Sequence, residues 1–71
     1  MIELRFPSDL YSGEAIDQAV KVYAEHARAE LEQTPDAYVV RLHALGDASE
    51  GLVADELANY ALGATIERRG E

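Results

Sequence analysis

The chain contains no cysteine, which excludes disulfide bonds and thiolate zinc sites. It has two histidines, so a metal site would also need carboxylate ligands. No apolar run approaches the roughly 20 residues of a membrane-spanning helix. Residues 1–5 lack the basic and apolar segments of a signal peptide. From these absences we expect a cytoplasmic protein that does not span a membrane.

Basic residues are also scarce. Six lysines and arginines stand against fourteen acidic residues, which gives a net charge of -8. Nucleic-acid binding needs cationic side chains that displace counterions from phosphates, and the basic residues form no tract beyond Arg68-Arg69. We therefore expect no nucleic-acid partner and no adhesion to an anionic membrane. The acidity favours solubility; alternatively, it would steer a basic partner towards the chain.

The length of 71 residues predicts one domain, spanning residues 1–71. A domain of this size buries only roughly 60% of the surface that its unfolded chain exposes, so its core is thin. Small domains often gain stability from disulfides, a metal or a partner subunit. Because disulfides are excluded, a partner subunit is the main remaining aid to stability.

The first half of the chain predicts a strand and a helix. Ile2, Leu4 and Phe6 alternate with charged residues, as in a half-buried strand. Pro7 ends the strand because it lacks the N–H that a ladder needs. Ser12 is the predicted N-cap of a helix from residue 13 or 14 to about residue 26. The core stripe of this helix comprises Ile16, Ala19, Val20 and Tyr23.

The second half predicts a hairpin and a second helix. Apolar residues alternate with polar ones on both sides of Thr34-Pro35-Asp36, which is a turn signal. Asp47, followed by Glu50, predicts the start of a helix from about residue 48 to residue 68. Gly70 is its predicted stop. The core stripe of this second helix comprises Val53, Leu57, Tyr60, Ala61 and Ala64.

These elements predict an α+β protein with the order β-α-β-β-α. A right-handed crossover combined with the hairpin favours a three-stranded sheet with strand three central. Both helices are expected to cover the same sheet face. That buried face comprises Ile2, Leu4, Phe6, Ala27, Ala29, Leu31, Tyr38, Val40 and Leu42. The exposed face comprises Glu3, Arg5, Arg28, Glu30, Glu32, Val39, Arg41 and His43.

The two histidines are candidates for metal binding or proton transfer. If the numbers of facing hairpin residues sum to 69, His26 lies opposite His43. Arg28 then faces Arg41, which brings two like charges together. If the numbers sum to 71, Glu30 faces Arg41 and the histidines are offset. Opposite charges across strands contribute roughly 0.2–1 kcal/mol, so the second register is favoured.

Two surfaces are available for a partner. Strands one and two are sheet edges, and an open edge can accept an extended peptide as an added strand. The second helix also carries apolar residues away from its core stripe, including Leu52. On one of its faces lie the predicted partner-binding residues Leu62, Ile66, Asn59 and Asp55. The alternative is that the core wraps far enough to cover this face.

Catalytic and cofactor-binding patterns are missing. Ser12 and Ser49 lack the context of a nucleophile elbow and are accounted for as helix starts. The five glycines are dispersed and form no phosphate-binding loop. The core is too small to hold a sizeable pocket around paired carboxylates. We therefore expect no enzymatic activity, no catalytic residues, and neither a cofactor nor a metal.

Two short segments resemble a known family. Leu10-Tyr11-Ser12, followed by Glu14-Ala15-Ile16, Ala19 and Tyr23, is similar to the start of HxsD-like proteins, the D component of the bacterial His-Xaa-Ser system. Glu56-Leu57-Ala58-Asn59-Tyr60 resembles the acidic-aromatic-x-Asn signature of that family's last helix, with Leu57 where an aromatic residue is more usual. Size and element order agree as well, so the resemblance spans nearly the whole chain.

The resemblance implies a bacterial accessory protein encoded near radical-SAM peptide-modifying enzymes and a His-Xaa-Ser-repeat precursor. It implies no catalytic residues. Asn59 is the match with a physical consequence, because asparagine is intrinsically unfavourable inside a helix and so favours a specific hydrogen bond. We expect Asn59 to hold the Leu10–Ser12 connector; alternatively, it reaches a partner.

Three functions are compatible with these observations. The leading expectation is a cytosolic accessory or interaction module that binds a peptide or a larger enzyme. The second is a structural homodimer formed through the second helix. The third is a small metal-binding or hydrolytic protein that uses His26 or His43 with nearby carboxylates.

Overall fold

The computed structural model describes residues 1–69, and its element order is β-α-β-β-α, as predicted. The elements are β1 (Ile2–Pro7), α1 (Gly13–Val22), β2 (Ala27–Gln33), β3 (Ala37–Ala44) and α2 (Glu50–Arg69). The predicted stop signal at Gly70 lies outside the described residues. The α+β fold class is confirmed.

The three strands form one sheet in the order β1-β3-β2, which confirms strand three as the central strand. β3 is antiparallel to both neighbours, so β1 and β2 run parallel to each other without touching. Glu30 lies opposite Arg41, so the hairpin has the register whose facing numbers sum to 71. The turn is closed by Thr34, whose N–H donates to the Ala37 carbonyl at 2.8 Å and whose hydroxyl accepts from the Ala37 N–H at 3.1 Å.

α1 begins as the sequence predicts but ends earlier. The Ser12 hydroxyl accepts from the Ala15 N–H at 3.4 Å, in the manner of an N-cap. The helix stops at Val22, four residues before the predicted end. After the C-cap residue Tyr23 the chain makes a turn, in which the Tyr23 carbonyl accepts from the Ala27 N–H at 3.0 Å. This turn redirects the chain into β2.

α2 starts at Glu50, later than the predicted start at about residue 48, and its cap is Ser49, which the sequence also indicated as a helix start. The Ser49 hydroxyl, rather than Asp47, accepts from the Leu52 N–H, at 3.4 Å. Glu50 instead reaches back to the sheet, accepting from the Ala44 N–H at 3.2 Å and pairing with the Met1 ammonium at 2.9 Å. The hydrogen bonds of Glu50 therefore tie the first turn of α2 to the ends of β1 and β3.

Both helices pack on one face of the sheet, and the core lies between them. Its buried members are Phe6, Ile16, Ala19, Ala27, Val40, Leu42, Val53, Leu57 and Ala61. The helices are antiparallel: the start of α1 lies beside the end of α2, where Glu14 pairs with Arg68 at 2.7 Å. None of the helices within residues 1–69 combines the length and apolar character needed to cross a bilayer.

Two predictions about side-chain burial are wrong. Leu31, expected in the core, is 40% exposed, because the part of α1 nearest to it carries polar side chains. Val39, expected on the solvent-exposed face, is only 3% exposed. It lies in the central strand between Arg5 and Glu32, and long charged side chains cover apolar neighbours with their aliphatic stems.

Candidate interaction surfaces

The first candidate surface is the outward side of α2. Asp55, Asn59, Leu62 and Ile66 recur at helical spacing on the side opposite the core stripe, and all four are exposed. Leu62 is 44% exposed and Ile66 is 61% exposed, so the core does not wrap around to cover them. Leu52, one helical turn before Asp55, is 59% exposed. We call these five residues the α2 outer face.

Asn59 does not have the structural role expected of it. Its side chain is exposed on the α2 outer face. The connector between β1 and α1 is held instead by Thr65, whose hydroxyl accepts from the Ser12 N–H at 3.2 Å. Thr65 is 1% exposed and therefore belongs to the interior of the protein. Asn59 remains available to a partner.

The second candidate surface is the free edge of β2. Hydrogen-bonded pairs alternate with non-hydrogen-bonded pairs along an antiparallel ladder. The pairs that flank β2 fix this alternation: the Leu45 N–H donates to the His26 carbonyl at 2.9 Å, and the Thr34 N–H donates to Ala37. Even-numbered residues of β2 therefore bond to β3, and odd-numbered residues direct their backbone groups away from the sheet.

Three residues on this free edge are left for pairing. The Ala27 N–H is used by the Tyr23 carbonyl, within the turn that precedes β2. Ala29, Leu31 and Gln33 follow at alternate positions. Within residues 1–69, β2 has no neighbouring strand on the side opposite β3. We call these three residues the β2 edge. Their side chains lie on the helix side of the sheet.

A groove runs along the helix side of the β2 edge. It has a volume of about 1020 Å³, and we call it the α1–β2 groove. Its lining includes Asp17, Gln18 and Lys21 from α1, with Leu31, Gln33 and Tyr38 from the sheet. Near one end, α1 approaches the sheet so closely that a Cβ at Gly13 would lie 3.0 Å from the Tyr38 ring. The groove therefore has apolar groups in the sheet and a polar helical wall.

The open face of the sheet beside this edge is organised around Arg41. Its guanidinium pairs with Glu32 at 2.8 Å and with Glu3 at 3.4 Å. The hydrogen bond and charge of Glu32 raise the pKa of Arg41 above its usual range. Glu30 is the register partner of Arg41, but the ion pair runs diagonally to Glu32, and Glu30 has no ion pair within the described residues. One carboxylate next to the β2 edge is therefore free.

The structure separates the two histidines. His43 faces Arg28, whereas His26 precedes β2 and lies opposite Leu45. Both histidines are exposed. In the part of the chain that the structure describes, no three or more acidic or histidine side chains are grouped so that they could hold a metal ion.

The sequence predicted the α2 outer face and the presence of open edges, but it missed the α1–β2 groove. The available signal lay in residues that face each other. Leu31 and Gln33 lie on the inward side of β2, and Asp17 and Lys21 lie on the side of α1 that faces them. Comparisons with protein-family models, with curated proteins and with solved structures found no match to this chain.

Proposed function

We propose that this chain is a small accessory module that binds a peptide or a larger partner protein, and that the larger partner docks on the α2 outer face. The observation that carries the proposal is the exposure of Leu62 and Ile66 on adjacent turns, opposite the core. Contiguous exposed apolar side chains rimmed by polar residues mark protein-binding surfaces, and Leu62 and Ile66 are neighbours because they lie four residues apart on the same helix face. Asn59 and Asp55 supply the polar groups that would fix the orientation of a partner.

A homodimer through the same face is the second candidate. The thin core of a 71-residue chain favours association, and Leu62 and Ile66 could pack against their counterparts in a second copy. Charge opposes this arrangement. Each chain carries a net charge of -8, so two copies repel each other, whereas a basic or neutral partner does not meet this barrier. We therefore place a different protein ahead of a second copy.

The resemblance to HxsD-like proteins supports a more specific proposal. It would make the chain a bacterial, cytoplasmic accessory protein of a radical-SAM peptide-modification system. The segments that carry this resemblance are Leu10-Tyr11-Ser12 and Glu56-Leu57-Ala58-Asn59-Tyr60. Asn59 lies on the α2 outer face, so the proposal and the proposed docking surface share a residue.

The metal-binding or hydrolytic alternative has the least support. It would need His26 or His43 to act with neighbouring carboxylates, and each histidine is exposed and lies out of register with the other.

Affinity capture with a matched control tests the proposal. The bait is the immobilised chain, compared with the double variant Leu62→Glu, Ile66→Glu and with Val22→Glu. Val22 is a suitable control because it is also an exposed apolar helix residue, 49% exposed, on α1. We expect the wild type and Val22→Glu to recover the same stoichiometric partner, and the double variant to lose it. Equal recovery by all three baits would contradict docking on the α2 outer face.

Light scattering separates the two candidates. A partner-binding module is expected to remain monomeric at micromolar concentration in the absence of its partner. A dimer that dissociates in the double variant, but not in Val22→Glu, would replace the accessory-module proposal with the homodimer.

A further inference from the structure

The β2 edge and the α1–β2 groove lie side by side, and together they have the parts of a peptide site. We infer that an extended peptide adds to the sheet as a fourth strand along the β2 edge, with alternate side chains entering the α1–β2 groove. The inference rests on the proposed interaction function and names the kind of peptide: a segment in which apolar residues alternate with lysine or arginine.

Main-chain pairing is the first part of this peptide site. Ala29, Leu31 and Gln33 present their N–H and C=O groups along the free edge, at the spacing that an added strand requires. Such pairing gives affinity without depending on the sequence of the peptide. The burial pattern agrees, because every β2 residue from Glu30 to Gln33 is exposed, on both faces of the sheet. This half of β2 is therefore accessible from the edge and from both sides.

The groove supplies the second part, which is selectivity on the helix side. An added strand turns every second side chain towards the helices, as β2 itself does with Leu31 and Gln33. Those side chains would enter the α1–β2 groove, where Leu31 and the Tyr38 ring provide apolar contact. The groove is open to solvent, so side chains of an added strand can reach these two apolar groups. Apolar residues are therefore favoured at these alternate positions.

Charge supplies the third part, on the open face. The remaining side chains of a strand paired along the β2 edge lie beside Glu30 and Glu32, their neighbours across the new pair, whereas Arg28 lies before the first residue of this edge. Glu32 is already paired with Arg41, but Glu30 has no ion pair within residues 1–69. The net charge of -8 also attracts a cationic peptide. Lysine or arginine is therefore favoured at the positions that face Glu30.

The other edge of the sheet is a poorer site. The β1 residues whose backbone groups hydrogen-bond to β3 are Ile2, Leu4 and Phe6. The backbone groups at the free edge of β1 are therefore those of Glu3, Arg5 and Pro7. Pro7 has no N–H to donate, so only two residues of this edge could pair in full. The β2 edge offers three residues and the adjacent groove.

The probe for the test is a short, capped peptide in which lysine and valine alternate, titrated into the isotopically labelled chain and followed by amide NMR. We expect the Ala29, Leu31 and Gln33 amides to shift and to gain protection from exchange. Two further peptides are N-methylated at alternate residues, one at every lysine and the other at every valine. Since only one phase faces the β2 edge, one of these peptides is expected to lose binding and the other to keep it.

Protein variants and a charge control complete the test. Leu31→Glu is expected to weaken binding of the peptide by about tenfold or more, equivalent to about 1.4 kcal/mol. Leu62→Glu, on the α2 outer face, is expected to leave binding unchanged. A peptide alternating glutamate and valine is expected to bind at least about tenfold more weakly than the lysine peptide. The N-methylated pair keeps the test valid if Leu31→Glu disturbs the fold, because it leaves the protein unaltered.

Several results would overturn the inference. They are equal binding by both N-methylated peptides, shifts confined to the α2 outer face, and the absence of any binding by the lysine peptide. If the lysine peptide fails while capture still depends on Leu62 and Ile66, the peptide site is wrong and the proposed function stands. If both experiments fail, both proposals fall.

Discussion

The Thr65 hydroxyl accepts a hydrogen bond from the backbone N–H of Ser12 at 3.2 Å, across 53 positions of the sequence. Ser12 is also the N-cap of α1, so this bond fixes the start of one helix against the last turns of the other. This bond also concerns the proposed docking surface, because the same stretch of α2 has the buried Thr65 on one side and the exposed Ile66 on the other. The α2 outer face is therefore presented by a helix whose C-terminal part is anchored.

Replacing Thr65 with valine removes this acceptor and keeps the side-chain shape. We expect Thr65→Val to lower the free energy of unfolding by about 1–3 kcal/mol, since the Ser12 N–H loses its partner. The specific readout is amide exchange at Ser12, which should accelerate in Thr65→Val and remain slow in Thr65→Ser, where the hydroxyl is kept. Exchange at Ser12 that is identical in both variants would show that the bond does not hold the connector.

Two helical glycines should respond differently to substitution by alanine. Gly63 has open space where a Cβ would lie, so Gly63→Ala is expected to stabilise the protein by about 0.5–1 kcal/mol, the usual helix gain. At Gly13 the new Cβ would lie 3.0 Å from the Tyr38 ring, and the ring must move. Gly13→Ala should therefore stabilise less than Gly63→Ala, or destabilise. Urea unfolding of both variants provides the comparison, and an equal gain at the two sites would argue against the close approach of α1 to Tyr38.

Val39 should contribute to stability despite lying on the open sheet face. It is 3% exposed, so Val39→Ala is expected to cost about 1.5–2.5 kcal/mol through the loss of two buried methyl groups and some cavity formation. The matched control is Val22→Ala at a site that is 49% exposed, where we expect a change within about 0.5 kcal/mol. Chemical denaturation measures both. A neutral Val39→Ala would mean that Arg5 and Glu32 do not cover this side chain.

Glu50 should contribute to the stability of the chain in a way that depends on pH and is lost in acid. The Met1 ammonium and the Ala44 N–H hold the pKa of Glu50 below its usual range. Because the folded pKa is lower than the unfolded one, this stabilisation is fully present above the unfolded value and is lost as the pH falls through the folded value. The stability difference between wild type and Glu50→Gln should therefore shrink below about pH 4, near the ordinary carboxyl pKa.

The same site can be checked without a substitution. Acetylation of the N-terminus removes the first of the two causes, so the Glu50 pKa, followed by side-chain NMR, should rise towards its usual range. An unchanged titration after acetylation would contradict the ion pair with Met1.

Much of the fold was predictable because local patterns and global packing agree. The alternation from Ile2 to Phe6, the Ser12 cap and the turn at Thr34 each specify their element without reference to the rest of the chain. The hairpin register also followed from charge, because only one register places Glu30 opposite Arg41. Such features are short-range, and the sequence therefore determines them locally.

The remaining features depend on distances between elements, which local sequence patterns do not specify. The exposure of Leu31 follows from the polar side chains that α1 places beside it, and the burial of Val39 follows from side chains on two neighbouring strands. Thr65 was missed because a threonine at one edge of an apolar stripe resembles a surface residue until its partner, Ser12, is known. The α1–β2 groove depends on how these two elements face each other, so the sequence predicted the edge but not the groove beside it.

Photocrosslinking in the cells that produce the protein tests whether a partner protein docks on the α2 outer face. A photoreactive phenylalanine analogue replaces Leu62 in one variant and Val22 in a control, since both positions are exposed apolar sites on helices. We expect one discrete adduct with a different protein from position 62 and none from position 22. No adduct from position 62, or the same adducts from both positions, would contradict an interaction module that docks its partner on the α2 outer face.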